Sequence, residues 1–232
     1  MNRTNVTKKS FVVAAALSAV IGLSACGSND ADTAQAADNS SSSSTVKVPK
    51  PAAVVAAVPG GTTAVALDAG FLDALTQLGL TPGTIGGAAL DGTTGTVTFP
   101  ITGGTVTLYD RETGYRPWVQ GVLFHEGSGL SLTAGGTTVE LTDFAIDPGK
   151  PARLFGNVSV NGQLAVASAP LFNLDGSTLN PPSMDADGSA VLQGTTVKLA
   201  PEAAELLNTT FATDALAGGF VIGVATLTVQ TS

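Results

Sequence analysis

The stretch from Gly121 to Asp147 constrains the fold more than any other part of the chain. A two-residue turn at Gly135-Gly136 sets Leu132 opposite Val139 and Leu130 opposite Leu141. Ser131 then faces Glu140 and Thr133 faces Thr138 on the other side. One register sorts the apolar side chains onto one face, as a half-buried antiparallel hairpin requires. Past Leu141 the apolar parity slips from odd to even, at Phe144 and Ile146. One extra residue near Thr142-Asp143 accounts for the slip, so a β-bulge is expected there.

The same reasoning places a second hairpin at Thr96–Asp110. A turn at Gly103-Gly104 would pair Ile101 with Val106 and Phe99 with Leu108. Pro100 cannot donate to a ladder, so its strand belongs at an edge or turns that position outward. A third hairpin spans Arg153–Val166 and turns at Asn161-Gly162. The turn rule pairs Val160 with Gln163, whereas the apolar pattern pairs Val160 with Leu164, and the register stays open. Strands follow at Ala190–Leu199 and Phe220–Val229, the last apolar enough to be covered on both faces. Asp68 caps a helix whose Phe71, Leu72, Leu75 and Leu78 share a face, with Gly79 as its stop. Pro201 opens a second helix that buries Ala203, Leu206 and Leu207. Eight or nine strands and two short helices make residues 60–232 a mainly β domain, an antiparallel β-sandwich or flattened barrel.

The N-terminal quarter is different. Arg3, Lys8 and Lys9 precede an apolar run from Phe11 to Gly22, too short to span a bilayer comfortably, and small residues follow. Residues 1–25 read as an export signal. Leu23-Ser24-Ala25-Cys26 resembles the bacterial lipobox, which implies cleavage before Cys26 and acylation of its thiol and new amine. Cys26 is the only cysteine of the chain and sits where a lipobox needs one. Two or more acyl chains, palmitate among them, anchor stably where one does not. The expected address is the outer face of the bacterial cytoplasmic membrane. Residues 26–59, serine-rich and then proline-stiffened, read as a tether.

Charge and motif content exclude several function classes. The leader carries three of the ten basic residues, so the mature chain holds seven against eighteen acidic ones, a net charge of −11. That gives no basic face for a nucleic-acid partner. No G-x-S-x-G, P-loop or dinucleotide fingerprint occurs. A catalytic zinc site needs three ligands, and the folded part offers one histidine and no cysteine. Asp185-Ala-Asp187-Gly188 resembles half of a calcium loop without its downstream acids and reads as a solvated turn. No complete catalytic set is visible, so the domain reads as non-enzymatic. The one constellation with ligand-binding character gathers His125, the only histidine, with Tyr109, Tyr115 and Trp118, which include every Tyr and Trp. Such a cluster either lines a ligand pocket or closes one end of the β domain.

The order of features also resembles the HtaA-type haem-binding domain of Gram-positive surface proteins. The matching pieces are the helix Leu67–Gly79, Phe99-Pro100, and the Gly121–Leu130 segment holding His125, Gly127 and Gly129. The resemblance implies a two-sheet β-sandwich that takes up haem, with a tyrosine from the short helix on the iron and a histidine supporting it. His125 matches that histidine. No tyrosine lies between residues 64 and 80, so the iron-ligand position has no counterpart. Three expectations stand side by side. The first is a tethered, non-enzymatic surface domain for binding, a surface protein among the possible partners, or for envelope structure. The second is capture of haem or another small hydrophobic ligand, with Tyr109 or Tyr115 as a substitute ligand. The third and weakest is an envelope-modifying enzyme, for which the sequence offers no complete catalytic set.

Overall fold

The protein is described by a computed structural model over residues 47–232. The export signal, Cys26 and the tether through residue 46 lie outside the described residues. Thirteen strands form in chain order: β1 (Ala53–Val55), β2 (Gly61–Leu67), β3 (Thr81–Gly86), β4 (Ala89–Asp91), β5 (Thr96–Pro100), β6 (Gly103–Leu108), β7 (Val119–Ala134), β8 (Thr137–Asp147), β9 (Arg153–Val160), β10 (Gln163–Asp175), β11 (Ser183–Met184), β12 (Ala190–Leu199) and β13 (Val221–Val229). Two α-helices, α1 (Ala69–Gln77) and α2 (Pro201–Phe211), and a 3-10 turn at Arg111–Thr113 complete the described elements. The count exceeds the expected eight or nine because β1, β3, β4 and β11 are too short or too exposed to show an alternating pattern.

All pairings are antiparallel and join one sheet in the order β1-β6-β7-β8-β9-β10-β12-β13-β2-β5-β4, with β3 also on β7 and β11 on β12. Six strand-to-strand steps separate β7 from β2 along this path, which is roughly 29 Å in a flat sheet at about 4.8 Å per step. Yet His125 of β7 and Thr63 of β2 share a 2.8 Å side-chain hydrogen bond. The sheet therefore curls on itself into a half-barrel instead of splitting into the two layers of a sandwich. Residues 101–102 stitch the curl, with Ile101 N donating to Gly61 O and Thr102 N to Phe124 O.

The opening hairpin forms in the expected register, Leu130 opposite Leu141 and Leu132 opposite Val139. Gly135 and Gly136 hold φ of 57° and 80°, the left-handed pair a two-residue hairpin turn needs. The expected bulge is also present. Against β9, β8 carries one extra residue between Thr142 and Ala145, and Asp143 stands there at φ 54°. Against β7 the surplus is reversed, because Glu126, Gly127 and Ser128 together oppose Asp143. One carboxylate pins both distortions. Asp143 Oδ1 accepts from Gly127 N at 2.9 Å, and Oδ2 accepts from Thr142 Oγ1 and Asn157 Nδ2, each at 3.1 Å. Asn157 Oδ1 then accepts from Ser168 N, at a further irregularity of β10. A row of polar pins thus crosses four adjacent strands where the sheet bends, the usual work of bulges.

Gly103-Gly104 is not a turn. Both glycines lie within β6, which leaves β5 and pairs with β7, Gly103 opposite Phe124. The ribbon from Thr96 to Leu108 runs on, its first half joined to β2 and its second to β7. A Cβ at Gly104 would stand 2.1 Å from Val122 O, so the glycine permits close backbone approach here. Pro100 lies past the end of β4, which reaches only Thr98, and its missing donor faces no partner strand.

Other expectations resolve as follows. At Asn161-Gly162 the turn rule prevails and Val160 pairs with Gln163. A bulge before Val166 then restores Val166 opposite Val158. The last strand alternates and is not covered on both faces: Ile222, Ala225 and Leu227 are buried and Val224 is exposed. The folded chain also starts earlier than Gly60. Ala52 N donates to Leu108 O, β1 pairs with β6, and Val58 is in the core. Helix α1 begins on its expected cap, Asp68 accepting from Gly70 N at 2.9 Å, and buries Leu75. Helix α2 packs against β10 and β8, burying Ala203, Ala204 and Leu207.

Candidate functional site

The curled sheet forms a cavity of about 860 Å³ that is partly open to solvent. Its walls come from eleven strands and are overwhelmingly apolar, among them Val65, Phe99, Leu130, Leu192 and Leu227. The sequence produces it because inward positions along β2, β12 and β13 carry Val, Leu, Ile and Ala, which line a curved wall without filling its centre. The lining follows β13 from Val229 to Ile222, seven residues or about 23 Å at 3.3 Å each. The end at Val229 is bordered by three loops, those holding Arg116–Trp118, Pro148–Lys150 and Gly176–Pro182.

His125 lies in the cavity wall and is only 1% exposed. Its Nδ1 is 3.4 Å from Phe144 O, which can only accept, so Nδ1 carries the proton. Nε2 is then the acceptor and receives the Thr63 hydroxyl at 2.8 Å. Phe99 stands edge-on to both His125 and Phe144, with ring centroids 6.4 and 5.3 Å away. Burial pushes the imidazole pKa from 6.5 down to about 4, against a smaller opposing pull from the Phe144 carbonyl. At neutral pH this is an uncharged, fully hydrogen-bonded ring.

The other three sequence-selected residues sit elsewhere. Tyr109 and Tyr115 meet edge to face at 4.7 Å and do not line the cavity. Tyr109 N donates to Trp118 O, and the Arg111 guanidinium lies 4.0 Å from the Trp118 ring centre. Trp118 borders the cavity at the loop end. Seven residues of extended chain separate it from His125, roughly 23 Å. The aromatic cluster thus divides, three members at one end of the half-barrel and His125 deeper on the wall.

Thr63 was the residue that sequence reasoning passed over. It shares the inward parity of Val65 and Leu67, a lone hydroxyl on an apolar row, and such a group must find a partner. Ser128, fully buried, donates to the backbone carbonyl of His125 at 3.0 Å and not to its ring, so the pair does not form a nucleophile and base. Asp187 accepts from Ser189 N, closing the Asp185–Gly188 turn on itself. Among the described residues no three His, Cys, Asp or Glu side chains gather as a metal site.

No protein-family model and no curated protein matches the chain. Two solved structures from Corynebacterium glutamicum are similar. The C-terminal domain of HtaA aligns with a TM-score of 0.51 at 15% identity, covering 75% of this chain and 99% of that one. The haem-binding protein HtaB aligns with a TM-score of 0.48 at 12% identity, covering 78% and 96%. At these identities the HtaA likeness speaks to the fold alone, a mainly antiparallel β architecture.

Proposed function

We propose that this protein is an exported, lipid-anchored, non-enzymatic binding protein that captures a small hydrophobic ligand inside its half-barrel. The observation that carries this reading is the cavity. Its volume of about 860 Å³ lies within the range of small-molecule sites and far above the voids of a packed core, and its lining is mostly apolar. The lipobox-like Leu23–Cys26 supports the anchor.

Titration of the full chain with the neutral fluorophore N-phenyl-1-naphthylamine tests the capture. Fluorescence should rise to saturation at one probe per chain, and Leu192→Trp, which puts an indole into the cavity, should weaken the binding. A rise unaffected by Leu192→Trp counts against the reading. Metabolic labelling with an alkynyl palmitate tests the anchor, the label and the membrane fraction both disappearing in Cys26→Ser.

Haem is the second reading, favoured by the HtaA-type fold and by a histidine at the matching place. The residues present do not fit iron. Helix α1, Ala-Gly-Phe-Leu-Asp-Ala-Leu-Thr-Gln, holds no Tyr, His, Met or Cys. His125 has both nitrogens engaged, and Tyr109 and Tyr115 are directed to each other. Haemin titration should leave the spectrum of free haemin. A Soret band lost in His125→Ala would restore the haem reading.

A further inference from the structure

We propose that the ligand is an amphiphile with an anionic head group, its chain lying along the half-barrel and its head held at the loop end by Arg116 and Lys150. This rests on hydrophobic capture in the cavity and specifies the ligand class.

The lining carries two charged residues, Arg116 and Lys150, and no carboxylate. Acidic residues outnumber basic ones by eighteen to ten in the whole chain, so two cations and no acid is the opposite of what its composition favours. Both stand at the same end, Arg116 just before β7 and Lys150 in the loop between β8 and β9. Neither joins an ion pair among the described residues, where the two pairs are Arg153–Glu202 and Lys198–Asp175. Arg116 spends Nη1 on the carbonyls of Arg111 and Tyr115, which orients the guanidinium. Its Nε and Nη2 make no hydrogen bond among the described residues. Asp147, the carboxylate nearest Lys150 in sequence, is turned back on its own loop, accepting from Gly149 N at 2.8 Å. The deep wall has the opposite character. Of its few polar side chains, Thr63 and His125 satisfy each other, and Thr195 adds a single hydroxyl to an otherwise apolar surface. An apolar tube about 23 Å long with unpaired cations at one end matches a long-chain anion, with the carboxylate or phosphate in the loops. A neutral ligand would leave the cations without a role, and a compact polar one would strand its hydrogen-bonding groups against apolar walls.

The test uses the full chain carrying Cys26→Ser, kept free of detergent, at pH 8. Two fluorescent probes of one shape are compared, cis-parinaric acid and its uncharged methyl ester, with the urea-unfolded chain setting the background. Both should bind, the acid about tenfold more tightly, as one charge-assisted contact of ~1.4 kcal/mol provides. Arg116→Gln with Lys150→Gln should bring the acid to the affinity of the ester and leave the ester unchanged, which also shows that the variant folds. Arg116→Lys should keep the preference. Equal binding of acid and ester to the parent chain, or a preference that survives the double substitution, overturns the anionic head while capture stands. Binding of neither probe overturns capture as well.

Discussion

His125 is the residue at which folding and acidity are most tightly joined. Its folded pKa near 4 lies below the 6.5 of an exposed imidazole, so between these values the unfolded chain holds a proton that the folded chain does not. Stability is then fully present above pH 6.5 and falls as pH drops toward 4. A gap of this size is worth on the order of 3 kcal/mol. Urea denaturation at pH 7 and pH 4.5 should show this loss in the parent chain. In His125→Phe the pH-dependent loss should be smaller by most of that amount. An equal loss in both chains would mean that His125 does not titrate as its burial implies. Thr63→Val probes the same contact from the other side. It leaves Nε2 buried without a donor, an expected cost of about 1–3 kcal/mol at pH 7. Asp143 is the second such position, its carboxyl held below the ordinary range chiefly by the Gly127 amide. Asp143→Ala frees the pins of two bulges and should lower the denaturation midpoint more than Asp143→Asn, which keeps an acceptor oxygen.

Between the elements, two Gly-Gly pairs show what a pattern can and cannot reveal. Gly135-Gly136 sits between runs whose alternation matches residue for residue, and there the turn, the register and the bulge beyond it were all legible. Gly103-Gly104 looks the same over a few residues. Its glycines are needed because β6 and β7 approach closely, and no local pattern encodes the partner strand. The two roles separate by mutation. Gly104→Ala puts a Cβ 2.1 Å from Val122 O at φ 136° and should cost more than about 3 kcal/mol, whereas Gly103→Ala meets open space and should change stability by less than about 1 kcal/mol. Similar tolerance at both sites, read from denaturant midpoints, would return the pair to a turn. The site was harder to see for the same reason. Its histidine was visible as a singular residue, but Thr63 lies 62 positions away and the cations at the loop end face a cavity that exists only once the sheet has curled.

For the whole molecule, the question is whether the half-barrel is a site or merely a loosely packed core, and the two make opposite thermal predictions. A ligand that enters only the folded cavity at a hundred times its Kd should stabilise the domain by about 2.7 kcal/mol. At roughly 2–4 °C per kcal/mol for a domain of this size, the midpoint should rise by about 5–10 °C. Leu192→Trp adds an indole to a space with room for it, so without ligand it should melt close to the parent chain. With N-phenyl-1-naphthylamine present it should show a smaller rise than the parent chain. With a loosely packed core the parent chain would gain nothing from the probe. An equal rise in both chains would place the probe on the outer surface, among exposed groups such as Leu164 and Val166. Only a parent chain that responds and a Leu192→Trp variant that responds less is consistent with a cavity kept open for a ligand.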